Sequence, residues 1–157
     1  AVVAVMCLCE VAAYCKKNGI TLWDQMLKIY EEYGYFKEGL HTITMKGVTG
    51  AQAIKDIMAA LRKNPAKELA GLKVLKVRDY DADVVTDMAT GEKSSTGLPK
   101  SNVLYFDLEN DSWCCARPSG TEPKIKFYMG VKGTSLQDSE EKLEALKNAV
   151  LAMIPEV

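Results

Sequence analysis

The sequence is poor in the residues from which most metal and hydrolytic sites are built. It has one histidine, His41, and five cysteines, Cys7, Cys9, Cys15, Cys114 and Cys115. The cysteine count is odd, no Cys-x-x-Cys occurs, and one histidine cannot complete a Cys/His metal set. All five cysteines read as reduced thiols of a cytosolic protein. Cys114 and Cys115 are neighbours in a strand-like run, so their side chains are expected on opposite faces. Net charge is also missing. The 20 Lys and Arg against 21 Asp and Glu leave a formal charge of −1, which supports neither nucleic acid nor membrane as a partner. Any affinity for phosphate must therefore come from a local cluster. Ala1 to Cys9 is entirely apolar, but Glu10 ends the run, well short of the ~20 residues of a membrane helix. No basic stretch precedes it, as a secretory signal requires. A helix of this kind needs a cover, and we expect the chain to be a piece cut from a longer protein. No internal repeat is present.

What is present suits a globular chain of 157 residues, 48% apolar and 26% charged: one domain, or one domain plus a piece of another. Ala1 to Lys17 reads as a helix ended by Asn18-Gly19. Thr21 with Asp24 forms a capping box for a second helix, whose apolar side carries Leu22, Met26, Tyr30 and Tyr33 and which Gly34 ends. Tyr35 to Lys46 contains a strand, marked by His41, Ile43 and Met45 against Thr42 and Thr44. Gly47 to Gly50 breaks it. His41, with no constellation around it, reads as a structural strand residue rather than a base or ligand.

Ala51, Ile54, Ile57, Met58 and Leu61 make a helical core stripe that Asn64-Pro65 stops. Leu72 to Asp79 is a strand. Asp79, Asp81, Asp83 and Asp87 tempt as a Mg²⁺ cluster, yet the central glycine and closing glutamate of a calcium loop are absent, so a solvated turn is expected. Residues 89–101 read as a mobile loop or hairpin tip, and Val103 to Leu108 as a strand. Asn110-Asp111 turns into the next strand. After Gly133, Thr134 or Ser135 caps a last helix with Leu136, Leu143, Leu146, Val150 and Met153 in its core stripe. Consecutive strands with short turns imply a mainly antiparallel sheet, with helices on one face: a two-layer α+β fold preceded by two helices.

The most informative stretch is Arg117-Pro118-Ser119-Gly120-Thr121-Glu122-Pro123-Lys124-Ile125-Lys126. A strand-like run precedes it, and Ile125, Phe127, Met129 and Val131 then alternate with Lys124, Lys126, Tyr128 and Lys132, a half-buried strand. The loop between carries two hydroxyls, a glycine able to take φ > 0, and an arginine whose fork can grip two phosphate oxygens. Successive N–H groups can form an anion-binding concavity. Lys124 and Lys126 share the polar face. The residues leave two readings open: a phosphate site with no nucleophile–base pair, or an ordinary turn between strands.

Arg-Pro-Ser-Gly-Thr-Glu-Pro resembles the phosphate-binding loop of the α-D-phosphohexomutases, the phosphoglucomutase and phosphomannomutase family. The order of elements around it resembles the family's C-terminal domain. The resemblance implies that residues 1–34 are the helical end of the preceding, third domain and residues 35–157 the C-terminal phosphate-binding domain. It implies that Arg117, Pro118, Ser119, Gly120, Thr121 and Lys126 hold the non-reacting phosphate of a phosphosugar, with no catalytic or metal residue in this chain. In the family a phosphoserine exchanges its phosphoryl group with the sugar, through a bisphosphorylated sugar of the glucose 1,6-bisphosphate type and with Mg²⁺ bound elsewhere. The serine, metal and sugar-binding loops have no match here. The expected function is thus part of a phosphoglucomutase-type enzyme, inactive alone, whose partners are the substrate and the enzyme's own preceding domains. Phosphomannomutase is the close alternative, since the clamp is blind to the sugar's 2- and 4-hydroxyls. A stand-alone anion-binding module and a purely structural domain are the others.

Overall fold

The computed structural model describes residues 1–45 and 49–154. Lys46, Gly47 and Val48, where the first strand was expected to end and break, lie outside the described residues. The chain divides into two compact units, Ala1–Tyr35 and Phe36–Val157.

The first unit is a helical pair, α1 (Val2–Lys17) and α2 (Leu22–Tyr33). α1 closes where Asn18 donates its N–H to Tyr14 and Gly19 takes φ 68°. α2 opens on the expected capping box: the Thr21 hydroxyl accepts from Asp24 N–H at 3.0 Å, and the Asp24 carboxylate accepts from Thr21 N–H at 2.7 Å. Cys15 is the buried hydrophobic residue of this unit. Val2 is 74% exposed, Met6 61% and Leu8 57%, and the α2 stripe of Leu22, Met26 and Tyr33 is exposed as well.

After the helical pair come β1 (Tyr35–Thr44), α3 (Gly50–Lys63), β2 (Glu68–Leu69), β3 (Leu72–Asp79), β4 (Val84–Asp87), β5 (Lys93–Ser94), β6 (Leu104–Leu108), β7 (Trp113–Pro118), β8 (Lys124–Gly133) and α4 (Leu136–Ala152), all in the second unit but for Tyr35. The strands form an open sheet in the order β1-β8-β7-β6-β3-β4-β5, with β2 paired to β3. Registers from β2 to β8 run antiparallel. This is the expected α+β architecture. Two expectations need refining. The run expected as a solvated turn ends in a strand, β4, and residues 89–101 contain β5, which pairs Ser94 with Val85.

Turn chemistry sets the central hairpin. Asn110 and Asp111 take φ 57° and 54°, the left-handed pair that matches the twist of adjoining strands, and Asp107 faces Trp113 across the turn. Alternation then sorts the side chains. Leu104, Phe106 and Leu108 of β6, Cys114 and Ala116 of β7, and Ile125, Phe127, Met129 and Val131 of β8 share one buried face. Ile54, Ile57, Met58 and Leu61 of α3, with Leu146 and Val150 of α4, cover it. Ala51, expected in that stripe, is exposed; Ala53 is buried instead, because the first turn of α3 lies beside the 117–126 loop. The opposite face stays half-open. There Tyr105 stacks on Trp113 with centroids 5.5 Å apart, and the Trp113 indole leaves no room for a Cβ at Gly130.

The cap of α4 makes a pH-dependent contribution. Ser135 accepts from Asp138 N–H at 3.1 Å, while the Asp138 carboxylate accepts from Lys142 Nζ at 2.8 Å and Thr134 N–H at 2.7 Å. The Lys142 contact, then the Thr134 bonds, pull its carboxyl down from 3.8 to about 2. A folded value below the unfolded one means stability that is present above pH ~4 and fades as pH falls towards 2. Asp138→Asn should therefore lower Tm at pH 7, and the gap to wild type should close in acid. Parallel melting curves from pH 7 to pH 2 with a constant gap would contradict this origin.

Candidate functional site

The candidate site is the tip of the β7–β8 hairpin. Burial of Ala116, Ile125 and Phe127 fixes which way each strand faces. Arg117 and Lys126 are consequently directly opposite each other in the ladder, both on the face away from the core. Like charges in that relation repel. Neither has a carboxylate within ion-pair distance among the described residues. Lys124 differs, since Glu122 holds its ammonium at 2.9 Å. Two cations therefore face one another with no counter-charge of their own.

The loop backbone is partly engaged. Ser119 N–H donates to Lys124 O at 2.8 Å, and Lys124 N–H to Glu122 O at 2.7 Å. The Ser119 hydroxyl oxygen accepts weakly from Thr121 N–H at 3.5 Å and Glu122 N–H at 3.3 Å, which leaves its own proton free to donate outward. The Gly120 N–H and the Thr121 hydroxyl have no protein partner among the described residues. The arrangement is less a preformed nest of N–H groups than a ring of hydroxyls and cations. Gly120 differs from expectation: it is not among the residues with φ > 0. What the missing side chain supplies is space, for a Cβ there would meet nothing within 4 Å.

Arg117, Pro118, Ser119, Gly120, Thr121 and Lys126 together line a concavity of about 230 Å³. Among the described residues, the nearby thiols and phenol are not poised as nucleophiles. Burial pushes the Cys115 thiol up to about 11 despite the pull of Arg117, and burial raises Cys114 further. Tyr105 is pushed up to about 12, by burial first and the Asp107 charge second. Such groups stay protonated at neutral pH.

The other candidates are dispersed. His41 is half-buried in β1 and bonds no carboxylate among the described residues. The four aspartates do not fit a Mg²⁺ site, because each spends its carboxylate on protein partners, Asp81 at the long distance of 3.9 Å from Arg62. Asp79 accepts from Arg62 at 3.1 Å, Asp83 from Thr96 and Ser95, and Asp87 from Ala89 and Thr90 N–H. Hydrogen bonds to Thr96 and Ser95 hold Asp83 below the usual carboxylate range, and backbone N–H groups do the same for Asp87. Residues not expected at the site also meet the loop: Ala51 and Ile54 of the α3 core stripe, with Lys55 and Asn102, line a second concavity of about 520 Å³ against Pro118–Pro123. No helix among the described residues is long and apolar enough to cross a membrane.

Among known proteins, no family description matches the chain. Individual relatives do. The phosphoglucomutase of Staphylococcus saprophyticus subsp. saprophyticus is 39% identical over 129 residues, 82% of this chain and 23% of that protein. The phosphoglucomutase of Staphylococcus aureus strain MRSA252 is 36% identical over 146 residues, 93% of this chain and 26% of that protein. The chain spans about a quarter of the length of these curated relatives. With its open antiparallel sheet and loop, the chain belongs to the phosphohexomutase family, and its coverage is consistent with a C-terminal domain of such an enzyme.

Proposed function

We propose that this chain is the C-terminal part of a phosphoglucomutase-type enzyme and that its loop clamps the non-reacting phosphate of the substrate. The observation that supports it is the pairing of Arg117 with Lys126 across the ladder, unneutralised, beside Ser119, Gly120 and Thr121 on one concavity. A phosphate dianion there relieves the repulsion, takes a forked contact from Arg117 and accepts from the hydroxyls. Pro118 holds the loop's entry. Gripping a phosphate remote from the reaction positions the sugar and supplies binding energy for closure. Residues 1–34 are then the helical end of the preceding domain and residues 35–157 the clamp domain. Mg²⁺, the phosphoserine and a glucose 1,6-bisphosphate-type activator belong to the parts of the enzyme beyond this chain. The clamp contacts no sugar hydroxyl that separates glucose from mannose, so a phosphomannomutase is the second reading. In this reading the chain alone is inactive and the enzyme is cytosolic.

Titration of the chain with inorganic phosphate should shift the amide resonances of residues 117–126 and few others. A flat response across that segment at saturating phosphate would leave only a turn. Separately, the pure chain with Mg²⁺ should not convert glucose 1-phosphate to glucose 6-phosphate in a coupled assay; measurable turnover would overturn the partial-enzyme reading.

A further inference from the structure

The two concavities at the loop share Pro118, Ser119, Gly120 and Thr121. One lies on the cationic face, with Arg117 and Lys126; the other lies towards α3. The loop tip is thus common to both, and a Cβ on Gly120 would meet nothing within 4 Å. A ligand seated by its phosphate at Arg117 can therefore lean across Gly120 into the larger space.

That space has a mixed chemistry. Ala51, Ile54 and Pro123 give it apolar walls. Lys55 contributes an ammonium with no carboxylate partner among the described residues, and Asn102 a carboxamide. The carboxamide is oriented: Arg62 donates to Asn102 Oδ1 at 2.7 Å while also holding Asp79 at 3.1 Å, which leaves the Asn102 NH₂ as an unengaged donor. Glu122, the acid on this wall, is bound to Lys124. The cavity thus offers the Lys55 and Asn102 donors, the Ser119 and Thr121 hydroxyls and an apolar surface, with its one acid already ion-paired. A pyranose ring has the matching character, with oxygen acceptors round its rim and C–H groups on its face.

We infer that the α3-side concavity is a subsite for the hydroxylated ring of the clamped phosphosugar, with Lys55 and Asn102 as ring contacts and Arg62 as the positioning residue for Asn102. The inference rests on the clamp reading and adds to it residues outside the 117–126 loop. It also gives the clamp domain a direct view of the sugar, which the phosphate contacts alone lack.

The test uses the 157-residue chain and two probes, inorganic phosphate and glucose 1-phosphate. Phosphate should move amides 117–126 only. Glucose 1-phosphate should move these and also the Lys55 amide and the Asn102 side-chain NH₂. Lys55→Met should weaken glucose 1-phosphate roughly 2- to 12-fold, the worth of one net hydrogen bond, and leave the phosphate affinity unchanged. Lys55→Arg should restore part of the loss. If glucose 1-phosphate shifts the loop but not Lys55 or Asn102, the subsite is overturned and the clamp stands. Equal weakening of both probes by Lys55→Met would also overturn it. No response at the loop to either probe removes the clamp reading and the subsite with it.

Discussion

Replacing Arg117 by alanine should lower kcat/KM of the complete enzyme roughly 10- to 150-fold while leaving the fold intact. Arg117 is exposed at the end of β7 and outside the core, so its truncation opens no cavity. On the clamp reading, what disappears is a charge-assisted contact to the substrate's phosphate, worth about 1.5–3 kcal/mol, and every 1.4 kcal/mol is a factor of ten. Arg117→Lys should recover only part, because a point charge cannot reproduce the planar fork. Lys126→Ala should be milder, since Arg117 still opposes the vacated position. Removing either cation also relieves the cross-strand repulsion, so the unliganded variants should be no less stable than wild type. If the phosphate is held equally in ground and transition states, the loss falls on KM; if closure must assemble the site, kcat falls too. Steady-state kinetics with both phosphosugars, beside melting curves, separates these. Wild-type kcat/KM in a folded Arg117→Ala enzyme would reduce the loop to a turn.

The second large effect is on stability. Phe127 follows Lys126 in β8 but faces the opposite way, 1% exposed within the cluster that joins the sheet to α3 and α4. Truncation to alanine removes most of a fully buried ring and leaves a cavity, a cost of about 3–5 kcal/mol. That is a large share of the ~5–15 kcal/mol that holds an ordinary domain together. Phe127→Ala should therefore unfold at much lower urea concentration with an unchanged slope, or fail to fold at 37 °C. Tyr128→Ala, one residue on and half-buried on the open face, should cost distinctly less. If the two variants lose similar stability, the assignment of the core to the Phe127 face is wrong. The contrast also bears on the site, since Phe127 is what anchors β8 with Lys126 turned towards Arg117.

Much of the architecture was legible in the sequence because its causes are local. The Thr21/Asp24 capping box, the Asn110-Asp111 turn and the alternation from Lys124 to Lys132 are each settled within a few residues, by hydrogen bonds or by the pleat of one strand. The Arg117 to Lys126 segment stood out by its resemblance to a family motif, since its residue types alone fit an ordinary turn as well as an anion site. Other features depended on partners distant in the chain. Short strands such as β4 and β5 have too few residues to show a period, and exist because β3 offers β4 an edge and β4 in turn offers one to β5. Ala51 and Ala53 are indistinguishable by composition, and only the docked helix shows one exposed and the other buried. Gly120 does not take the positive φ expected of it, and open space surrounds the position a Cβ would occupy. Lys55 and Asn102 carry no signature at all, being brought to the loop by α3 and by the approach to β6. The sequence by itself thus determined most strand and helix faces, the turns and the residue types of the loop, because each follows from neighbours in the chain. Tertiary structure alone set Arg117 against Lys126 and placed two concavities about one loop, because register and helix docking are decided by the burial of a core shared among segments far apart in sequence.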